Sequence, residues 1–138
     1  MFDEVEIVVA SNPRWLRVIR SAVLEFAEEV GCDSKDRREI ALAVGEAASN
    51  VMKHAYRGDH NRKLSVRCRD RDSHFEVEIH DDGEPFDETQ FMMRPPNEMR
   101  AGGRGVYLMK AVMDEVEYGR EGGRNFVRMR KLVRTHAR

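Results

Sequence analysis

The chain has 138 residues, 41% hydrophobic and 36% charged, which fits one folded domain spanning 1–138 around one core. Its formal net charge of −1 gives no bulk electrostatic reason to bind nucleic acid or an anionic membrane. No apolar run is long enough to span a bilayer, the start "MFDEVEIVVASNP" is unlike a secretory signal, and Cys32 and Cys68 are too few for a zinc motif; a reduced cysteine pair in a cytoplasmic protein is the expectation.

"VEIVVA" alternates, with Val5, Ile7 and Val9 on one side of a strand. "SNPRW" starts a helix: Ser11 or Asn12 can cap it and Pro13 suits the first position. Trp15, Ile19, Ala22, Val23, Phe26 and Val30 recur at helical spacing, and Gly31 is the stop. A second helix begins near "DSKD" and runs to about Arg57. "KLSVRCR" and "FEVEIHD" then alternate, with Leu64, Val66 and Cys68, and Phe75, Val77 and Ile79, on single faces. Joined by "DRDS", they predict an antiparallel hairpin with one buried and one wet face. Periodicity stops from Asp81 to Gly105, a glycine- and proline-rich segment that reads as a lid-like loop. "VYLMKAVMDEV" resumes as a helix, and "VEYGREGGRNFVRMRKLV" closes as a hairpin turning at Glu121–Gly123. That order predicts an α+β fold: a two-layer sandwich of one mostly antiparallel sheet with its helices on one face.

The second helix carries an unusual polar set. At about 100° per residue, Asn50, Lys53, Arg57 and Glu39 fall on the same stripe as Glu46, while Ile40, Val44, Ala47 and Val51 form the core face. The stripe is either a solvated face or one wall of a site. A carboxylate one turn from an amide suits Mg²⁺ and a positioned water or hydroxyl, with Lys53 and Arg57 toward phosphate oxygens. "IHDDGEPFD" after a strand is either an ordinary turn or a carboxylate placed to accept from an exocyclic amine, with Gly83 letting a ring approach the backbone. "AGGRGVYLM" is either a flexible loop or a phosphate cradle at a helix N-terminus. His54 sits at the rim of the stripe and reads as a structural histidine bonded to backbone. Met92, Met93 and Met99 read as gap fillers in the lid or an adaptable partner contact.

The order of these segments resembles the GHKL, or Bergerat-type, ATP-binding fold with its ATP lid. "GEAASNVMKHAYRG" looks like its N-box, with Glu46 and Asn50 as the E-x-x-x-N core; "DDGEPFD" looks like its first glycine box; "GGRGVYLM" looks like its second. "EAASNVMKHAY", the "PFD" ending, "GRGVYLMKAVMDEVEY" and "GGRNFVRMRK" are similar to bacterial anti-sigma-factor serine kinases of the RsbW type. The resemblance implies Mg·ATP binding, with Asn50 on the metal, Asp81 on the adenine amino group, Glu46 as general base, and the chain at Gly102, Gly103, Arg104, Gly105 and Val106 around the phosphates. It also implies a serine on a small anti-anti-sigma partner (a STAS-type protein) as substrate, sequestration of a sigma factor, and a homodimer. Pro85 stands where the wider fold carries glycine, so the backbone there cannot donate to a nucleotide. This P-F-D form is a trait of the RsbW-like subfamily.

Two other readings stay open: a nucleotide-binding partner-switch module without kinase activity, and a detached histidine-kinase ATP domain, against which stands the lack of a phosphoacceptor histidine helix before the boxes. DNA binding has no support, since no helix carries a clustered basic face.

Overall fold

A computed structural model describes residues 3–85 and 104–133, Arg104 by its backbone alone. The elements are β1 (Asp3–Ala10), a 3₁₀ turn (Pro13–Trp15), α1 (Leu16–Glu29), α2 (Ser34–Asn50), a π-helical turn (Val51–Ala55), β2 (Lys63–Asp70), β3 (His74–Asp81), α3 (Arg104–Val112), β4 (Glu115–Glu121) and β5 (Arg124–Leu132). The strands form one sheet in the order β1-β2-β3-β5-β4, every neighbouring pair antiparallel. The α+β sandwich expected from the sequence is therefore what the chain forms.

Local chemistry explains the element ends. Asn12 caps the 3₁₀ turn by accepting from Arg14 N–H, and Pro13 follows it. Asp33 caps α2 by accepting from Asp36 N–H at 2.8 Å. Gly31, at φ 93°, ends α1 in a conformation that disfavours any side chain.

Ile19, Val23 and Ala27 of α1 and Ile40, Ala43, Val44, Ala47 and Ala48 of α2 are buried at helical spacing. The many small residues let α2 approach both α1 and α3 closely. Leu64, Val66, Cys68, Phe75, Val77, Ile79, Val127 and Met129 supply the inner sheet face. Phe26 and Phe75 meet with ring centroids 5.6 Å apart. At about 25 cal/mol per Å² of apolar area, this layer is the main stabilising term. Cys32 and Cys68 are both buried. Trp15 departs from expectation: it is 37% exposed, because the 3₁₀ turn rotates it off the α1 core face.

The outer sheet face is wet at its edges but dry at its centre. Register aligns two rows, Glu6–Arg67–Glu78–Arg128–Glu117 and Glu4–Arg69–Glu76–Arg130–Glu115, with charge alternating strand by strand. Glu76 and Glu78, on the central strand, are only 4% and 5% exposed. Arg130 and Arg69 hold Glu76 at 2.9 and 3.3 Å; Arg128 and Arg69 hold Glu78 at 3.0 and 3.3 Å. Alternation in the sequence marks which residues face outward. The antiparallel register decides that long arginine stems cover the glutamates.

Candidate nucleotide site

Asp81 is the last residue of β3, at the end of the central strand, and its inward side chain is fully buried. Its Oδ1 accepts from Gly83 N–H at 2.9 Å and from Asn125 Nδ2 at 2.8 Å. Its Oδ2 is buried with no hydrogen-bond partner among the described residues. Burial pushes this carboxyl above the usual range, against the two hydrogen bonds to Oδ1. A buried acceptor left bare costs free energy unless a donor arrives from outside the chain.

Gly83 is required by close approach. A Cβ there would stand 2.4 Å from Ala55 O and 2.9 Å from Tyr56 Cδ1. The next residue, Glu84, donates its N–H to Ala55 O at 2.9 Å. The turn after β3 is thus bolted to the end of the helix that carries Glu46 and Asn50. Tyr56 strengthens the joint. Its hydroxyl lies within hydrogen-bond distance of Lys63 O and Asp82 Oδ1, and it accepts from Asp82 N–H. Burial raises the Tyr56 phenol to about 12.

Glu46 is half-buried and lies against α3. A Cβ on Gly105 would stand 2.6 Å from Glu46 Oε2. The carboxylate therefore sits beside the first residues of a helix, where free N–H groups and the dipole favour negative charge. Asn50 comes one turn later, also half-buried. Val106 is buried in the core, which leaves only its backbone available to a ligand.

The predicted polar stripe is only partly kept. α2 does not continue regularly to Arg57: after Asn50 the chain widens into the π-helical turn, closed by Tyr56 N–H to Val51 O at 3.0 Å. The extra residue in that turn changes the angular position of every residue after it. Lys53 ends up exposed, and Arg57 leaves the helix at φ 49°. Glu39 does not belong to the site; it pairs with Lys131 at 3.4 Å and Lys35 at 3.9 Å. His54 is half-buried, its side chain makes no hydrogen bond to any described residue, and burial, then Lys53, lower its pKa. Of the lid-like segment, residues 86–103, with Gly102, Gly103, Met92, Met93 and Met99, lie outside the described residues, while Asp81 belongs to β3 and Gly105 to α3.

Sequence reading missed Asn125, Tyr56 and Arg120. Asn125 could have been found from register alone, since the final hairpin sets it opposite Asp81. Beside the Asp81 turn a cavity of about 420 Å³ is lined by Tyr56, Arg57, Arg62, Asp82, Pro85 and Arg120, among others. A depression of about 500 Å³ on the outer sheet face, around Arg71, His74 and Arg130, is remote from this chemistry and lined by charges already paired.

Among the described residues no cluster of three or more His, Cys, Asp or Glu could hold a metal by itself. A carboxylate and an amide oxygen one turn apart fit Mg²⁺ instead, which keeps several waters and shares its coordination with phosphates. No helix of the described residues is long and apolar enough to cross a membrane.

Fold and site together define a class: an α+β domain of the GHKL type, with a buried carboxylate at a strand end beside a helix bearing Glu and Asn. The family described as "Histidine kinase-like ATPase domain" matches residues 9–131, and the chain belongs to that family, on its RsbW-like branch. It is 30% identical over 129 residues to the serine-protein kinase RsbW of Bacillus subtilis (strain 168), covering 88% of this chain and 81% of that one. It is 29% identical over 125 residues to the serine-protein kinase RsbW of Listeria innocua serovar 6a, covering 85% and 80%. Among solved structures, the RsbU and RsbW domains of a Mycobacterium tuberculosis protein superpose with a TM-score of 0.68 at 17% identity. That match covers 99% of this chain and 34% of the longer one. The catalytic domain of the histidine kinase ThkA superposes with a TM-score of 0.57 at 12% identity, each chain covered to 99%. At these identities the structural likeness speaks for the fold alone.

Proposed function

We propose that this protein is an ATP-dependent protein-serine kinase that phosphorylates a small anti-anti-sigma partner of the STAS type and sequesters a sigma factor when not so engaged. The observation that carries the reading is the bare, buried Oδ2 of Asp81, an acceptor waiting for an N–H that the described chain does not supply. An adenine amino group supplies one. The relatives' names, serine-protein kinase RsbW, support the class of reaction.

Each residue then has a defined task. Asp81 reads the base, and Gly83 lets the turn after β3 pack against the backbone of Ala55 and so fixes Asp81 in place. Backbone N–H groups at Gly105 and Val106 face the phosphates, and Gly102, Gly103 and Arg104 complete the sequence motif that would cradle them. Asn50 Oδ1 would hold magnesium, which supplies charge neutralisation at phosphate oxygens when bound. Glu46 accepts the proton of the attacking serine hydroxyl, and that hydroxyl oxygen bonds to the γ-phosphorus as the bond from phosphorus to the bridging oxygen breaks. The protein works in the cytoplasm as a homodimer.

The test is direct. Incubation with a cognate anti-anti-sigma partner and labelled Mg·ATP should label a serine, and Asn50→Ala should abolish calorimetric binding of Mg·ATP. ATP binding with no labelled partner would leave a nucleotide-binding switch without chemistry. A Glu46→Gln variant as fast as wild type would remove Glu46 from the base role.

A further inference from the structure

Asn125 and Arg120 belong to no motif, yet they decide what Asp81 presents to a ligand. Asn125 stands directly across from Asp81 in the β3–β5 register and is fully buried. Both amide hydrogens are committed: Nδ2 donates to Asp81 Oδ1 at 2.8 Å and to Glu84 O at 2.7 Å. Its Oδ1 accepts from Arg120 Nη1 at 2.8 Å. The amide orientation comes from chemistry, because a carboxylate and a carbonyl can only accept and a guanidinium can only donate. Arg120 also reaches Gly83 O at 3.2 Å, and it is the register neighbour of Asn125 on β4. Arg120, Asn125 and Asp81 thus form one row across three strands.

This row makes the two oxygens of Asp81 unequal. Oδ1 receives two N–H groups and Oδ2 receives none from the described residues. An ionised carboxylate held this way offers a pure acceptor, which takes a purine 6-amino group and repels a 6-keto oxygen. A protonated carboxyl would donate to the keto oxygen instead. Burial opposes the charge on Asp81 most; of the groups that face it, Asn125 and the Gly83 N–H favour the charged form, Asp82 opposes it, Arg120 favours it, and the buried Tyr56 phenol lies nearby.

We propose that the Arg120–Asn125 pair is a specificity determinant: by saturating one oxygen of Asp81 and leaving the other bare, it makes the pocket select 6-aminopurine over 6-oxopurine nucleotides. Both are positioning residues that act through Asp81, and the proposal rests on the base-reading role given to Asp81 above.

Calorimetric titrations of wild type, Arg120→Met and Asn125→Leu with Mg·ATP and Mg·ITP test it, since the two bases differ at the 6-position. The wild-type preference for ATP should fall by about tenfold in each variant, the usual weight of a hydrogen bond to a charged group, with ATP weakened and ITP unchanged or tightened. Arg120→Lys, which keeps a charged donor, should recover the preference. Parallel weakening of both nucleotides, with the ratio unchanged, is what a merely structural role predicts and overturns the proposal. Arg120 is exposed, so its substitution carries the test even if Asn125→Leu does not fold. A wild type that does not distinguish ATP from ITP would overturn the role of Asp81 as well; one that prefers ATP with an unchanged ratio in Arg120→Met overturns this proposal alone.

Discussion

Replacing Gly105 by alanine should separate activity from stability. The new Cβ would stand 2.6 Å from Glu46 Oε2 and 3.5 Å from Glu46 Cδ. An ordinary carbon–oxygen contact is near 3.4 Å, so the carboxylate has to withdraw by roughly 1 Å, and misplacement on that scale costs on the order of 100-fold in rate. The obstacle is the far end of a flexible side chain, not backbone, so the fold can absorb it. Alanine in place of glycine inside α3 is also worth up to about 1 kcal/mol of helix stability. Gly105→Ala should therefore melt at or slightly above the wild-type temperature while serine phosphorylation falls by about two orders of magnitude. Calorimetric melting and single-turnover transfer from labelled ATP, run on the same preparation, read both numbers. Full-speed transfer in Gly105→Ala would refute the placement of Glu46 at the reacting centre. Joint loss of transfer and thermal stability would refute the claim that the contact is functional rather than structural.

Gly83→Ala should behave in the opposite way. Its Cβ meets the Ala55 carbonyl at 2.4 Å, which is backbone and cannot yield, so the turn lifts and the Glu84 N–H to Ala55 O bond goes. A loss of roughly 2–4 kcal/mol is expected, seen as a fall in Tm of roughly 6–12 °C; an unchanged melt would contradict the bolted turn. Asp81→Asn should lose ATP binding yet raise the stability of the nucleotide-free protein, because a buried half-bare carboxylate becomes a neutral amide. A variant that is weaker on both counts would sink that reasoning. On the outer face, burial pushes Glu76 and Glu78 upward, but hydrogen bonds from Arg130 and Arg69 to Glu76, and from His80 and Arg128 to Glu78, outweigh it and hold both below their ordinary 4.5. Depressed folded-state values contribute stability that is present above the ordinary value and lost as pH falls through the folded ones. The urea midpoint should drop below about pH 4.5, and Glu78→Gln should flatten that drop; identical slopes would argue against the lattice. Tyr56→Phe removes a hydroxyl that touches both Lys63 O and Asp82, and should cost about 1 kcal/mol in urea unfolding without moving the ATP-to-ITP ratio.

Much of this molecule was legible one residue at a time. Period-two runs named the inner-face residues of β2 and β3, and period 3.6 named Ile19, Val23, Ile40 and Val44, because solvent avoidance acts on each side chain separately. The motif residues Glu46, Asn50, Asp81 and Gly83 stood out only in combination, since taken singly their segments also read as a solvated helix face or an ordinary turn. The stripe beyond Asn50 was misjudged, since a wheel assumes constant pitch and the π-helical turn breaks it, sending Lys53 outward and Arg57 out of the helix. Asn125 and Arg120 sit in an unremarkable final strand pair, so nothing local marks them.

The order of amino acids alone therefore set the period of each element and the chemical kind of its special residues. Pairings between distant residues came from the packed fold: Asn125 opposite Asp81, Gly83 under Ala55, Gly105 against Glu46, and arginines of two flanking strands over the central glutamates. The difference is one of range. Propensity and polarity act within a few residues along the chain, whereas register and helix packing are fixed by the whole core at once, and a one-residue slip of a strand would turn its side chains to the wrong face.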